Sequence, residues 1–138
     1  MALERLGADT RPAWGVLDAA GMLRHCARFM ELYLGSIGVH PGVRFLARRL
    51  GPMFLRRFIV KPVGMTPRHM KTLQSIRAEE PDVRGFEEER AAFLAALAGV
   101  EALEGLVDHG LYGCMEAEDA KALVRHHTAH HFHQFGLI

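Results

Sequence analysis

The sequence predicts an all-α protein, a four-helix bundle with one long crossover connection, preceded by a first helical element that is short. Three observations carry this expectation. Apolar residues recur three and four apart in four segments, at residues 18–35, 41–60, 86–100 and 116–135. No period-two run of β-branched residues interrupts them. The connections are short except for KPVGMTPRHMKTLQSIRAEEPDVRG at residues 61–85, whose three prolines and length suit a crossover better than a loop.

Taken in order, residues 1–17 read as a short helical turn followed by the irregular ADTRPAWG, a lead-in to the single domain spanning 1–138. The first long helix starts at Asp18, a good N-cap, and Gly35 and Gly38 supply its stop. In the second segment Phe45, Leu46, Leu50, Met53, Phe54 and Phe58 fall at helical spacing, and this stripe is expected in the core. Gly51-Pro52 lies mid-segment and predicts a kinked or split helix, because proline removes one intrahelical hydrogen bond. FEEERAAFLAALAGV opens with acids, which favour a helix N-terminus. VDHGLYGCM reads as a short connection into the last helix. Trp14 and Phe135 are large apolar groups at helix ends and are expected to seal the bundle.

A chain of 138 residues with 49% hydrophobic and 24% charged residues can bury one core. A net charge of +1 argues against a nucleic-acid partner. The N-terminus lacks the apolar run of a signal peptide, and no stretch is long enough to span a membrane. The expectation is a cytoplasmic protein without membrane contact. Arginines 44, 48, 49, 56 and 57 make residues 44–58 basic, so docking on an anionic membrane or a partner is a competing reading to a solvated face. Cys26 and Cys114 form no metal or redox spacing, and no histidine neighbours Cys114 to activate it.

Five of the nine histidines fall in VRHHTAHHFHQFGLI at the end of the chain. They interleave with Thr128, Ala129 and Phe132, which is helical patterning and not a tag. At about 100° per residue, His127 and His131 stand one turn apart, with His130 and Gln134 on the same side. That face continues upstream through Ala120, Leu123 and Val124, whereas His126 and His133 turn toward the surface. Imidazoles on a buried face need partners, and a divalent metal held by an i, i+4 histidine pair provides them. His126 and His130 share the spacing but sit on the side of Asp119, which favours the His127/His131 pair. A third ligand must come from another helix. His25 lies mid-helix among Gly21, Met22, Phe29 and Leu32, so it is either a satisfied core residue or that ligand. His40 and His69 read as solvated, and His109 as a loop residue near the start of the last helix.

The segment WGVLDAAGMLRHCARFM and the tail HGLYG…HHTAHHFHQFG resemble the opening and closing motifs of a DinB-like family of helical bundles, within the DinB/YfiT-like superfamily of metalloenzymes. GMTP and FEEERAAFLAAL sit where that family has its crossover and third helix, so the resemblance covers nearly the whole chain. It implies a four-helix bundle holding a divalent metal through His25, His127 and His131, with His130 and Gln134 orienting the ligands. The sequence departs from the family in its short segment ahead of Trp14, in His109-Gly110 where His-Pro is common, and in Glu116 where a serine or threonine cap is usual. The missing wall makes a homodimer an expectation.

The implied function is metal-dependent hydrolase chemistry, or thiol-dependent transferase or isomerase chemistry, on a small-molecule substrate. A low-molecular-weight thiol would be the cosubstrate in the second case. Histidine donors suit zinc or nickel, with iron as a further choice. His130, His109 and Tyr112 are the candidates for a general base. The alternative is a metal-binding or structural bundle without turnover.

Overall fold

The computed structural model describes residues 2–59, 84–110 and 112–138, the side chains of 52–59 excepted. The crossover expected at 61–85, and His69 within it, lie almost wholly outside the described residues. A short 3-10 turn at Ala2–Arg5 precedes four helices: α1 (Ala19–Tyr33), α2 (Pro41–Ile59), α3 (Phe86–Glu101) and α4 (Ala117–Gln134). The all-α, four-helix frame with a short first helical element is therefore the one the periodicity predicts.

The ends of α1 follow from local chemistry. Asp18 Oδ1 accepts from the Gly21 N–H at 2.7 Å, satisfying one of the orphan donors of the first turn. Gly35, just past the last turn, takes φ 72°, a conformation that costs glycine little. Between these points Met22, Leu23, Cys26, Ala27 and Met30 are buried against α3 and α4. At the start of α3 the Glu88 carboxylate accepts from the Gly85 N–H at 3.0 Å. Phe93, Ala96 and Val100 then carry its apolar stripe into the same core. One charged pair joins the two helices: Arg24 Nε donates to Glu89 Oε1 at 2.8 Å, with the Glu89 side chain only 2% exposed. A carboxylate buried that deeply requires such a partner.

The segment expected as a plain connection contains a hairpin, β1 (Leu106–His109) paired antiparallel with β2 (Gly113–Glu116). Val107 lies opposite Met115 and His109 opposite Gly113. Val107 and His109 face inward while Leu106 and Asp108 face out, an alternation only four residues long and too brief to register as a strand pattern. The hairpin is tied down at both ends. Gly110 N–H donates to Leu32 O at 3.2 Å, and Ala117 N–H donates to Gly105 O at 2.8 Å.

Helix α2 runs through Gly51-Pro52 without a break, so the expected split does not occur. Gly51 is buried under the Tyr112 ring, so closely that an added Cβ would lie 2.5 Å from Tyr112 Cδ1. Arg44 and Arg48 reach Asp108 at 3.9 and 3.2 Å, exposed pairs that align the helix more than they stabilise it. The core expectation for this helix fails at its described apolar positions: Phe45 is 67% and Leu46 60% exposed. Helix α2 meets the hairpin through Gly51 and Arg48, while Phe45 and Leu46 stay exposed. Met53, Phe54 and Phe58 fall outside the described side chains. Among the described residues no helix is long and apolar enough to cross a membrane.

Candidate metal centre

Helices α1 and α4 bring three imidazoles together. His25 is buried, His127 and His131 are half-buried, and one ligand nitrogen from each lies within 4.8 Å of the others. His25 Nε2 and His127 Nε2 stand 3.1 Å apart. Two nitrogens on a tetrahedral zinc at the usual bond length are separated by about 3.3 Å, so this pair already has ligand spacing. The His131 ring completes the group, with centroids 4.8 Å from His25 and 4.7 Å from His127. Helical phase accounts for the pair on α4, which sits one turn below the buried Leu123 and Val124.

Two of these side chains are fixed by neighbours. His131 Nδ1 meets Gln134 Oε1 at 2.8 Å, and an amide oxygen only accepts, so the ring proton is on Nδ1 and the Nε2 lone pair is free for an ion. The Gln134 amide is itself oriented, since its Nε2 donates to the Trp14 carbonyl at 2.6 Å. His127 is held differently: its ring stacks on Phe29 at 3.8 Å and 12°. Its Nδ1 is buried with no hydrogen-bond partner among the described residues.

The electrostatics favour neutral donors. Burial, reinforced by His131, His25, His130 and His126, holds His127 well below the ordinary imidazole value. Burial and the neighbouring His25 push His131 down to about 3, against the opposing hydrogen bond to Gln134. Neutral imidazoles are the form that ligates, and crowding that disfavours three protons favours one cation among them. The residues present therefore fit a divalent ion.

The remaining candidates divide. His130 packs beside the triad, its ring 5.2 Å from His131 and 6.4 Å from Trp14. Gln134 is buried and bonded to His131, as an orienting group should be. His109 and Tyr112 belong to a second ring cluster on the hairpin. His109 Nδ1 accepts from the Tyr112 N–H at 3.0 Å, and its ring meets Tyr33 at 4.1 Å. Burial drives His109 down to about 4. Phe29 lies between Tyr33 and His127, at 5.3 and 3.8 Å. His109 and Tyr112 are thus joined to the triad through two intervening rings and not brought against it. His126 is half-buried and lowered by burial, while the half-buried His133 packs on Trp14 at 5.4 Å, so neither lies fully at the surface. His40 is exposed and accepts from the Gly42 N–H. Cys114 is exposed, and Cys26 is buried with its thiol pushed up by that burial.

Comparison with known proteins gives no matching family model, no matching curated protein and no matching solved structure. The centre stands on its geometry: a buried histidine cluster capable of coordinating a metal ion.

Phe29 stands on the His25 face of α1, as its spacing predicts, but its stacking on His127 had no signal in the sequence. One contributor was missed. Trp14 reaches the site through its main chain as much as through its ring, and nothing in a residue pattern announces a carbonyl.

Proposed function

We propose that the chain binds one divalent metal ion through His25, His127 and His131 and works as a metal-dependent enzyme of the DinB/YfiT-like type. What carries the reading is the convergence of three imidazole nitrogens, from helices a hundred residues apart, within 4.8 Å. Three protein donors are the usual complement of a catalytic metal, which keeps a further position for water or substrate. When bound, a divalent ion supplies Lewis-acid activation of a water or a thiol, which is hydrolase or thiol-dependent transferase and isomerase chemistry on a small molecule. The chain's own part is to hold His127 and His131 neutral and the donors aimed. Gln134 keeps the His131 proton on Nδ1, Phe29 braces the His127 ring, and His130 stands beside His131 as the candidate for moving a proton.

One observation favours a second reading, a structural bundle without turnover. His25 Nε2 and His127 Nε2 are close enough at 3.1 Å to satisfy each other with one shared proton. Elemental analysis of untagged protein separates the two. The metal reading expects about one equivalent of a transition metal, lost in His25→Ala and in His127→Ala with helicity retained. Substoichiometric metal that is indifferent to both substitutions would refute it.

A further inference from the structure

We infer that the segment Ala13–Gly15, ahead of α1, is a clamp that positions the His131 ligand through Gln134, and that Gly15 is the residue on which the clamp depends. The inference rests on the metal reading above and assigns new parts to that site.

Three contacts converge on Gln134 from this short segment. Ala13 N–H donates to the Gln134 main-chain carbonyl at 2.8 Å. The Trp14 carbonyl accepts from Gln134 Nε2 at 2.6 Å. Gly15 leaves just enough room, since a Cβ there would run into Gln134 Nε2. Gly15 also takes φ 89°, which side chains on an L-residue strain to adopt. On its far side the same amide accepts from His131 Nδ1 at 2.8 Å.

The chemistry follows from donor and acceptor types. A free glutamine can rotate its amide by half a turn and present NH2 to the imidazole in place of oxygen. That would draw the ring proton to Nε2 and remove the lone pair an ion needs. The Trp14 carbonyl forbids the rotation, because it accepts only from nitrogen. The orientation of a metal ligand at the end of α4 is therefore set, through Gln134, by a main-chain carbonyl 120 residues before that glutamine. Alanine at Gly15 is strained at that φ, and its methyl group also meets the Gln134 amide, which has to move aside. That movement displaces the atom on which the orientation rests. Gly15 and Gln134 are positioning residues in this scheme and touch no substrate.

The test uses the full-length protein with three variants. Gly15→Ala moves the clamp, Gln134→Leu removes it, and Val100→Ala destabilises the core on α3, remote from the clamp. Two readouts are taken: cobalt(II) affinity from the visible absorption of bound cobalt, and the His131 tautomer in metal-free protein from long-range proton–nitrogen NMR. Gly15→Ala and Gln134→Leu should weaken cobalt binding by roughly 10- to 100-fold. Both should lose the pure Nδ1–H form of His131, while Val100→Ala keeps wild-type affinity and tautomer. A Gly15→Ala protein with wild-type affinity and an intact Nδ1–H tautomer would overturn the clamp, as would an equal loss in Val100→Ala. A wild-type protein that binds no cobalt overturns the metal reading instead, and the tautomer comparison still decides whether the clamp orients His131.

Discussion

Lowering the pH from 7.5 to 5.5 should destabilise the metal-free protein by several kcal/mol, through histidines that the fold keeps neutral. His109 is pushed down to about 4 and His131 to about 3, and His127 is held well below the ordinary value of 6.5. In each case burial is the first cause. The sign is set by proton uptake: between the folded and unfolded values only the unfolded chain binds the proton, so stability rises with pH across that interval. Stability is fully present above 6.5 and is lost as the pH falls from there toward the folded values. At pH 5.5, one pH unit below the unfolded value, each group costs about 1.4 kcal/mol, and the three together about 4 kcal/mol. Domains of this size have only about 5–15 kcal/mol to lose. Urea unfolding followed by circular dichroism, in the presence of chelator, measures the effect directly. With a slope of about 1–3 kcal/mol per molar, the midpoint should fall by more than about 1 M. A midpoint that stays within a few tenths of a molar would refute the premise that these rings are buried and uncharged.

Four other outcomes are expected. Zinc at a hundredfold excess over its dissociation constant should stabilise the fold by about 2.7 kcal/mol, and added chelator should return the melting temperature to its starting point. Glu89→Ala removes the 2.8 Å hydrogen-bonded pair between Arg24 and a buried carboxylate, for a loss of about 1–3 kcal/mol in denaturant unfolding. Gly51→Ala drives a methyl group into Tyr112, and its thermal unfolding should reveal a loss of about 1–3 kcal/mol. Tyr33→Phe removes a hydroxyl that is buried with no hydrogen-bond partner among the described residues, so its melting temperature should be unchanged or higher.

The helical phase of the last segment was legible because 3.6-residue periodicity is a property of sequence alone. It placed His127 and His131 on the interior face and Gln134 beside them, as the structure does. His25 was legible only as a choice between core residue and ligand, because the partner that decides it sits 102 positions away. The hairpin escaped notice for a different reason. Four alternating residues cannot be told from a loop until the turn at Gly110 is seen anchored to Leu32. Phe45 and Leu46 look like core by spacing, yet burial depends on which element arrives opposite, and Tyr112 of the hairpin arrives over Gly51. The Gln134 amide illustrates the sharpest limit: its orientation is dictated by a carbonyl, which every residue possesses.

Because the donors are divided between α1 and α4, an ion held by His25 and His127 acts as a removable staple. It would close a loop that contains α2, α3 and the hairpin, across a separation of 102 residues. Loop-closure entropy grows only slowly with length, so a tie of that span restrains the unfolded chain about as strongly as a single cross-link can, on the order of 4–5 kcal/mol for a permanent bond. A covalent bridge would make that restraint permanent, whereas a coordinated one follows the supply of metal. Growth in scarce metal would then leave a population of loosened chains, open to proteases along their whole length and not at the site alone.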